Sequence, residues 1–138
     1  MMRSTNLCRI LWGGVCGLAL LGTAAAHHST AMYDYTKTVK LTGTVRQFQW
    51  TNPHCFVQVI ALNEQGKEVE WAIETGTPVI SARKGWSKNS LKPGDKVSMV
   101  IRPLRDGSPG GTLHTVTLAD GKVLSGAASD FDGNPPAL

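Results

Sequence analysis

The chain has 138 residues, with 14 Lys and Arg against 10 Asp and Glu and a formal net charge of +4. Arg3 and Arg9 stand ahead of every acid, so the chain from His27 onward is close to neutral and lacks the basic footprint expected of a nucleic-acid binder. Its length suits one domain with a single core.

The first segment reads as a secretory signal. Arg3 and Arg9 give a positive start, an apolar stretch runs from Ile10 to Leu21, and small residues occupy Gly22 to Ala26. The apolar stretch is too short for a spanning helix, which needs about 20 residues. Ala24-Ala25-Ala26 fits the small-x-small cleavage rule and places the cut before His27, with a cut before Ala26 allowed by the same chemistry. Val15 precedes Cys16 where a lipoprotein would need a small residue, so no lipid anchor is expected. Residues 1–26 are thus read as a signal peptide, giving a periplasmic or secreted protein with no stable membrane insertion after cleavage. Of Cys8, Cys16 and Cys55 only Cys55 then remains, and one cysteine makes no internal disulfide.

From Thr38 to Trp50 the pattern is a long strand. Val39, Leu41, Gly43 and Val45 share one face, then Phe48 and Trp50 continue on the other parity, which predicts a bulge or bend. Thr51-Asn52-Pro53 is turn chemistry. A second strand is expected from His54 to about Leu62, and Asn63-Glu64-Gln65-Gly66 makes a hairpin loop into a third, Lys67 to Glu74. Thr77 can cap a short helix from Pro78 to Lys84, ended by Gly85. Pro93-Gly94 turns the chain into a fourth strand carrying Val97, Met99 and Ile101, and Thr112 to Leu118 is a fifth, with an extension at Val123-Leu124. Ser125 to Leu138, rich in Gly, Ala, Asp and Pro, reads as a flexible tail.

This order, three strands, a helix and two strands, is that of an all-β, five-stranded OB-like barrel over residues 27–124, with one short helix between strands 3 and 4. A small β-sandwich or an open β-roll would give similar alternation.

Ala26-His27-His28-Ser29, Leu41-Thr42-Gly43-Thr44-Val45, Trp50-Thr51-Asn52-Pro53-His54, Trp71 with Glu74, and Gly85-Trp86 with Ser90-Leu91-Lys92-Pro93-Gly94-Asp95 together resemble an uncharacterised family of small exported bacterial proteins, a domain of unknown function. The resemblance runs from His27 to about Leu124 and is most specific at Trp50 to His54. It implies a periplasmic location and no particular activity.

The sharpest chemistry lies at the new N-terminus. With His27 first, the free amine and its imidazole chelate one metal, and His54 completes a T-shaped nitrogen set suited to Cu(II). With Ala26 first, His28 becomes the third residue, and the amine, two backbone amides and an imidazole form a square-planar site. Glu74 is a fourth candidate ligand. The alternative is that His27 and His28 are plain polar residues on a disordered start. His114 shares parity with Val116 and Leu118 and reads as packed. His54 and Cys55 are consecutive on a strand and point apart, so they form no nucleophile–base pair, and Cys55 reads as a small buried hydrophobe.

Trp50, Asn52, Phe56, Trp71 and Trp86 form an alternative, metal-free ligand face, since flat rings stack on ligands and such barrels bind on one sheet face. Glu70 and Glu74 share a strand face opposite Val69 and Trp71, where carboxylates are commonly solvated. Arg83, Lys84, Lys88, Lys92 and Lys96 read as a wet basic surface. No Gly-x-Ser-x-Gly, His-Glu-x-x-His, Cys-x-x-Cys, phosphate loop or dinucleotide fingerprint is present. The sequence therefore favours a non-enzymatic binding or accessory protein with copper as its candidate cofactor and an unidentified ligand or periplasmic protein as partner. A metal-free binding module and a copper-dependent enzyme are the alternatives.

Overall fold

A computed structural model describes residues 30–131. Their element order is β1 (Val39–Gln49), β2 (Phe56–Leu62), β3 (Glu68–Glu74), α1 (Pro78–Arg83), β4 (Lys96–Pro103), β5 (Gly110–Leu118) and β6 (Val123–Ser125), with 3-10 turns at Thr30–Met32 and Ala127–Phe131. The strands follow the order β3-β2-β1-β4-β5-β6, and a parallel pairing of β3 with β5 closes the first five into a barrel. The protein is an OB-like five-stranded barrel with its one α-helix between β3 and β4. Asn63-Glu64-Gln65-Gly66 makes the β2–β3 hairpin, with Gly66 at φ 73°.

β1 makes the closure possible by serving two neighbours. Val39 to Thr44 pair with β4, whereas Gly43 to Gln49 pair with β2. Around the overlap the strand must coil tightly, and a Cβ on Gly43 would stand 2.4 Å from the Ile60 carbonyl oxygen. Beyond it the β2 register slips between Val45 and Gln47, leaving Arg46 as the extra residue. This is the bulge that the parity switch predicts, and it lets Phe48 and Trp50 pack on the core after Val45.

Leu41, Val45, Val57, Val59, Ile73, Val97, Met99, Ile101, Leu113 and Val116 fill the interior. Trp86 and Leu91, from the chain between α1 and β4, join the same core. Thr77 Oγ1 caps α1 by accepting a hydrogen bond from the Ile80 amide at 3.2 Å, and Pro78 occupies the first turn where no donor is needed.

Both ends of the described chain pack on the barrel. β6 pairs with Thr115 to Thr117 on the edge of β5 that β3 leaves open. Ser125 to Phe131, where composition predicts the start of a tail, continue as β6 and a 3-10 turn in which Ala128 is fully buried. Long-range bonds hold them: Trp86 Nε1 donates to the Ser125 carbonyl at 2.8 Å, and Lys84 Nζ donates to Gly126 O, Ser129 Oγ and Asp130 Oδ1. At the other end Tyr33 bridges Leu104, the Arg105 amide donates to Met32 O at 2.9 Å, and the Asp34 amide donates to Pro103 O at 2.8 Å. Thr30 to Thr36 thus form a strap against the end of β4. Among the described residues no helix is long and apolar enough to cross a membrane.

Candidate functional site

The strap and the β2–β3 pair meet at one carboxylate. Beyond the strands proper, the Cys55 amide donates to Gly76 O at 3.0 Å and the Thr75 amide to Cys55 O at 2.9 Å, which extends the pairing by one step. Phe56 stands opposite Glu74 in the register. His54, two residues earlier on the same face as Phe56, is therefore a diagonal neighbour of Glu74. Its Nδ1 lies 2.5 Å from Glu74 Oε1. The other oxygen, Oε2, accepts a hydrogen bond of 2.5 Å from the Tyr33 hydroxyl.

The expected solvated pair of carboxylates is thereby corrected. Glu70 is exposed and ion-pairs with Arg46, but Glu74 is only 8% exposed. Strand alternation does place Glu74 on the outer face; the strap then covers it with Tyr33, itself buried. A buried carboxylate is tolerable only with strong partners, and here both oxygens have one. Burial, and secondly the bond to Glu74, push the Tyr33 phenol far above its ordinary range, so it remains a neutral donor. Tyr35 packs edge-on against Tyr33 with centroids 6.5 Å apart, and burial raises its phenol as well.

The contact pairs a ring nitrogen with a carboxylate oxygen at ion-pair distance. The His54 side chain is 30% exposed, against 11% for that of Glu74. Glu74 is the more buried of the two, and each of its oxygens has a partner at 2.5 Å. His27 and His28 lie outside the described residues. Among the described residues no group of three or more His, Cys, Asp or Glu is placed to hold a metal ion.

The aromatic set does not form one face. Trp71 pairs with Val59 and, like Ile73 two residues on, belongs to the inward parity, where it packs on the core. Trp86 is buried and bonded through its indole to Ser125. Trp50 packs edge-on against Phe48, which also contacts Trp86 at 5.6 Å. Phe56 points outward beside Glu74, and Asn52 is exposed in the turn before His54, where the Asn52–Pro53 peptide is cis.

Cys55 is fully buried, and burial raises its thiol, partly offset by the Thr51 backbone and the Ser81 side chain; it behaves as a small hydrophobe. His114, half-buried, is the extra residue where the β4–β5 register slips between Ile101–Leu113 and Val100–Thr115. Surface grooves around Lys96, one of about 260 Å³ between Thr42, Thr44, Ile60 and Glu68, contain none of the candidate site residues.

The sequence reading misses Tyr33, which lies in a stretch without periodicity. Its one signal is an aromatic a few residues after the paired histidines, in a chain with only two tyrosines.

No curated protein and no solved structure matches the chain. The model of a family of unknown function (DUF6152) matches residues 17–114, a span that includes the paired histidines, Tyr33, His54 and Glu74, and the chain belongs to that family.

Proposed function

We propose that the protein is exported by cleavage of residues 1–26 and acts outside the cytoplasm as a binding or accessory protein that takes up Cu(II) through His54 and the new N-terminus. One observation carries this reading: the 2.5 Å contact of His54 Nδ1 with Glu74 Oε1. A metal-ligating histidine typically gives its other ring nitrogen to a carboxylate, which fixes the tautomer and raises the basicity of the ligating nitrogen. A half-exposed histidine held this way is what a copper site needs from the barrel.

The remaining nitrogens come from the mature start. His27 stands six residues before Tyr33, and Tyr33 is bonded to the same carboxylate as His54. Six residues span at most about 20 Å, which puts His54 within the covalent reach of a terminus at His27. A start at His27 supplies the amine and imidazole with His54 as third donor; a start at Ala26 supplies the square-planar alternative through His28. The metal-free reading loses support, because Trp71 and Trp86 are drawn into the core.

The test is calorimetric titration of Cu(II) into the mature protein, with its first residue established by mass spectrometry. Tight one-to-one binding that weakens at least tenfold in His54→Ala supports the proposal. Binding that is weak, or unaffected by His54→Ala, rejects it.

A further inference from the structure

We infer that the outer face of the barrel carries a second site, for a zwitterionic ligand of dipeptide size held between Glu68 and Lys96. Glu68 opens β3 and Glu74 closes it, so this site lies at the opposite end of the strand from His54 and Glu74. A groove of about 260 Å³ runs there over Thr42, Thr44, Ile60 and Leu62, flanked by Glu68 from β3 and Lys96 from β4. The register builds its floor: Leu62 stands opposite Glu68, Ile60 opposite Thr44, and Thr44 opposite Lys96. Ile60 and Leu62 keep the outward parity of Phe56, which puts apolar side chains on a solvent face, and Leu62 is 67% exposed.

The two charges bordering this floor are both unneutralised. Glu70, two residues on, is paired with Arg46, but among the described residues the Glu68 carboxylate has neither a hydrogen bond nor an ion pair. Lys96 Nζ donates to Thr44 Oγ1 at 2.6 Å, which steadies the ammonium over the floor and leaves two N–H donors, with no carboxylate paired to it among the described residues. Asp95 and Asp120, in an adjoining groove, are engaged in their own turns, accepting from the Lys92 and Lys122 amides at 2.8 and 2.9 Å. One cation among carboxylates does not attract a polyanion. A carboxylate and an ammonium on either side of an apolar strip instead match a ligand that carries both charges with an apolar body between them. Along the sheet β3 and β4 are three strand spacings of about 4.8 Å apart. That span is too wide for Glu68 and Lys96 to neutralise each other. It is also too wide for a single amino acid, whose two charges share one carbon; a second residue adds about 3.5 Å of reach. Glu68 then takes the ligand's ammonium, Lys96 its carboxylate, and the ligand's side chains lie on Ile60 and Leu62.

Titration of the mature protein with alanyl-leucine, followed by amide proton–nitrogen NMR, tests this. Saturable shifts confined to Thr44, Leu62, Glu68, Lys96 and their neighbours are expected, in the millimolar range and weakening with added salt, as befits exposed charges. Blocked forms of the same peptide then assign each contact. Lys96→Gln is expected to weaken the free peptide about three- to fivefold, the worth of an exposed ion pair, and to leave the C-amidated peptide unaffected. Glu68→Gln is expected to weaken the free peptide similarly and to leave the N-acetylated peptide unaffected. The wild type titrated with free, singly blocked and doubly blocked peptides carries the test without any variant. Absence of saturable shifts, shifts outside the groove, or equal affinity for the doubly blocked peptide would overturn the inference. Equal affinity for maltotriose would assign the groove to a neutral polyol and overturn it as well.

Discussion

His54 and Glu74 meet across the open end of the β2–β3 pair, Nδ1 to Oε1 at 2.5 Å, with the carboxylate buried and the imidazole partly in solvent. The asymmetry sets the roles. A buried carboxylate with both oxygens engaged is a fixed acceptor, whereas the imidazole retains a face toward solvent. The arrangement joins three distant stretches of chain at one group: the strap, the turn after β1 and the last residue of β3.

Glu74→Ala is therefore expected to destabilise the fold well beyond a typical surface change. It leaves the Tyr33 hydroxyl buried without this acceptor, at a cost of about 1–3 kcal/mol, and opens a void beneath the strap. Urea unfolding of Glu74→Ala and Glu70→Ala separates the two carboxylates, the exposed Glu70 pair being worth under about 1 kcal/mol.

Stability is expected to fall in alkali. Tyr33 and Tyr35 have phenols raised above the ordinary value of 10.0, and Cys55 a thiol raised above 9.0. Above those values the unfolded chain loses protons that the folded protein retains, so the stabilisation is complete at lower pH and is lost as pH rises. Denaturant midpoints should decline from about pH 9 and more steeply past about pH 10, with Tyr33→Phe flattening the steeper part. An unchanged pH profile in that variant would contradict the assignment.

Gly43→Ala tests the barrel closure. Its methyl would meet the Ile60 carbonyl oxygen at 2.4 Å and Val59 Cγ1 at 2.6 Å, so the β1–β2 pair must separate where β1 changes partners. A loss of about 1–3 kcal/mol is expected by thermal or urea unfolding. Gly66→Ala, in the solvent-facing hairpin with open space around it, meets no such clash and is limited to the strain of its positive φ.

Trp86→Phe is expected to lower stability and leave copper binding unchanged. It removes the indole donor from the Ser125 carbonyl, worth about 1–3 kcal/mol for a buried group left unpaired, and loosens the contact that holds the C-terminal turn. A variant that folds as well as wild type but loses ligand affinity would restore Trp86 to a binding face.

The barrel is legible in the sequence because its determinants are local. Alternation in β2, β3 and β4, the Asn63–Gly66 hairpin, the Thr77-Pro78 helix start with Gly85 at its end, and the parity switch between Val45 and Phe48 are each read within a few residues. The site is less legible because its determinants are not local. Period-two reasoning places Glu74 on the outer face correctly, but only the strap's return, 41 residues away in sequence, makes that face an interior. Trp86 presents the same difficulty, since its indole partner Ser125 comes from a segment whose composition suggests no order. His54 is visible from the turn chemistry before it, whereas its partners are not.

The most direct test of the central claim is electron paramagnetic resonance of the Cu(II)-loaded mature protein, with wild type compared with His54→Ala. Nitrogen hyperfine structure from the amine, the first imidazole and His54 is expected in the wild type, with one imidazole nitrogen lost in the variant. Identical spectra from the two proteins would place the copper on the terminus alone and contradict a site built by the barrel.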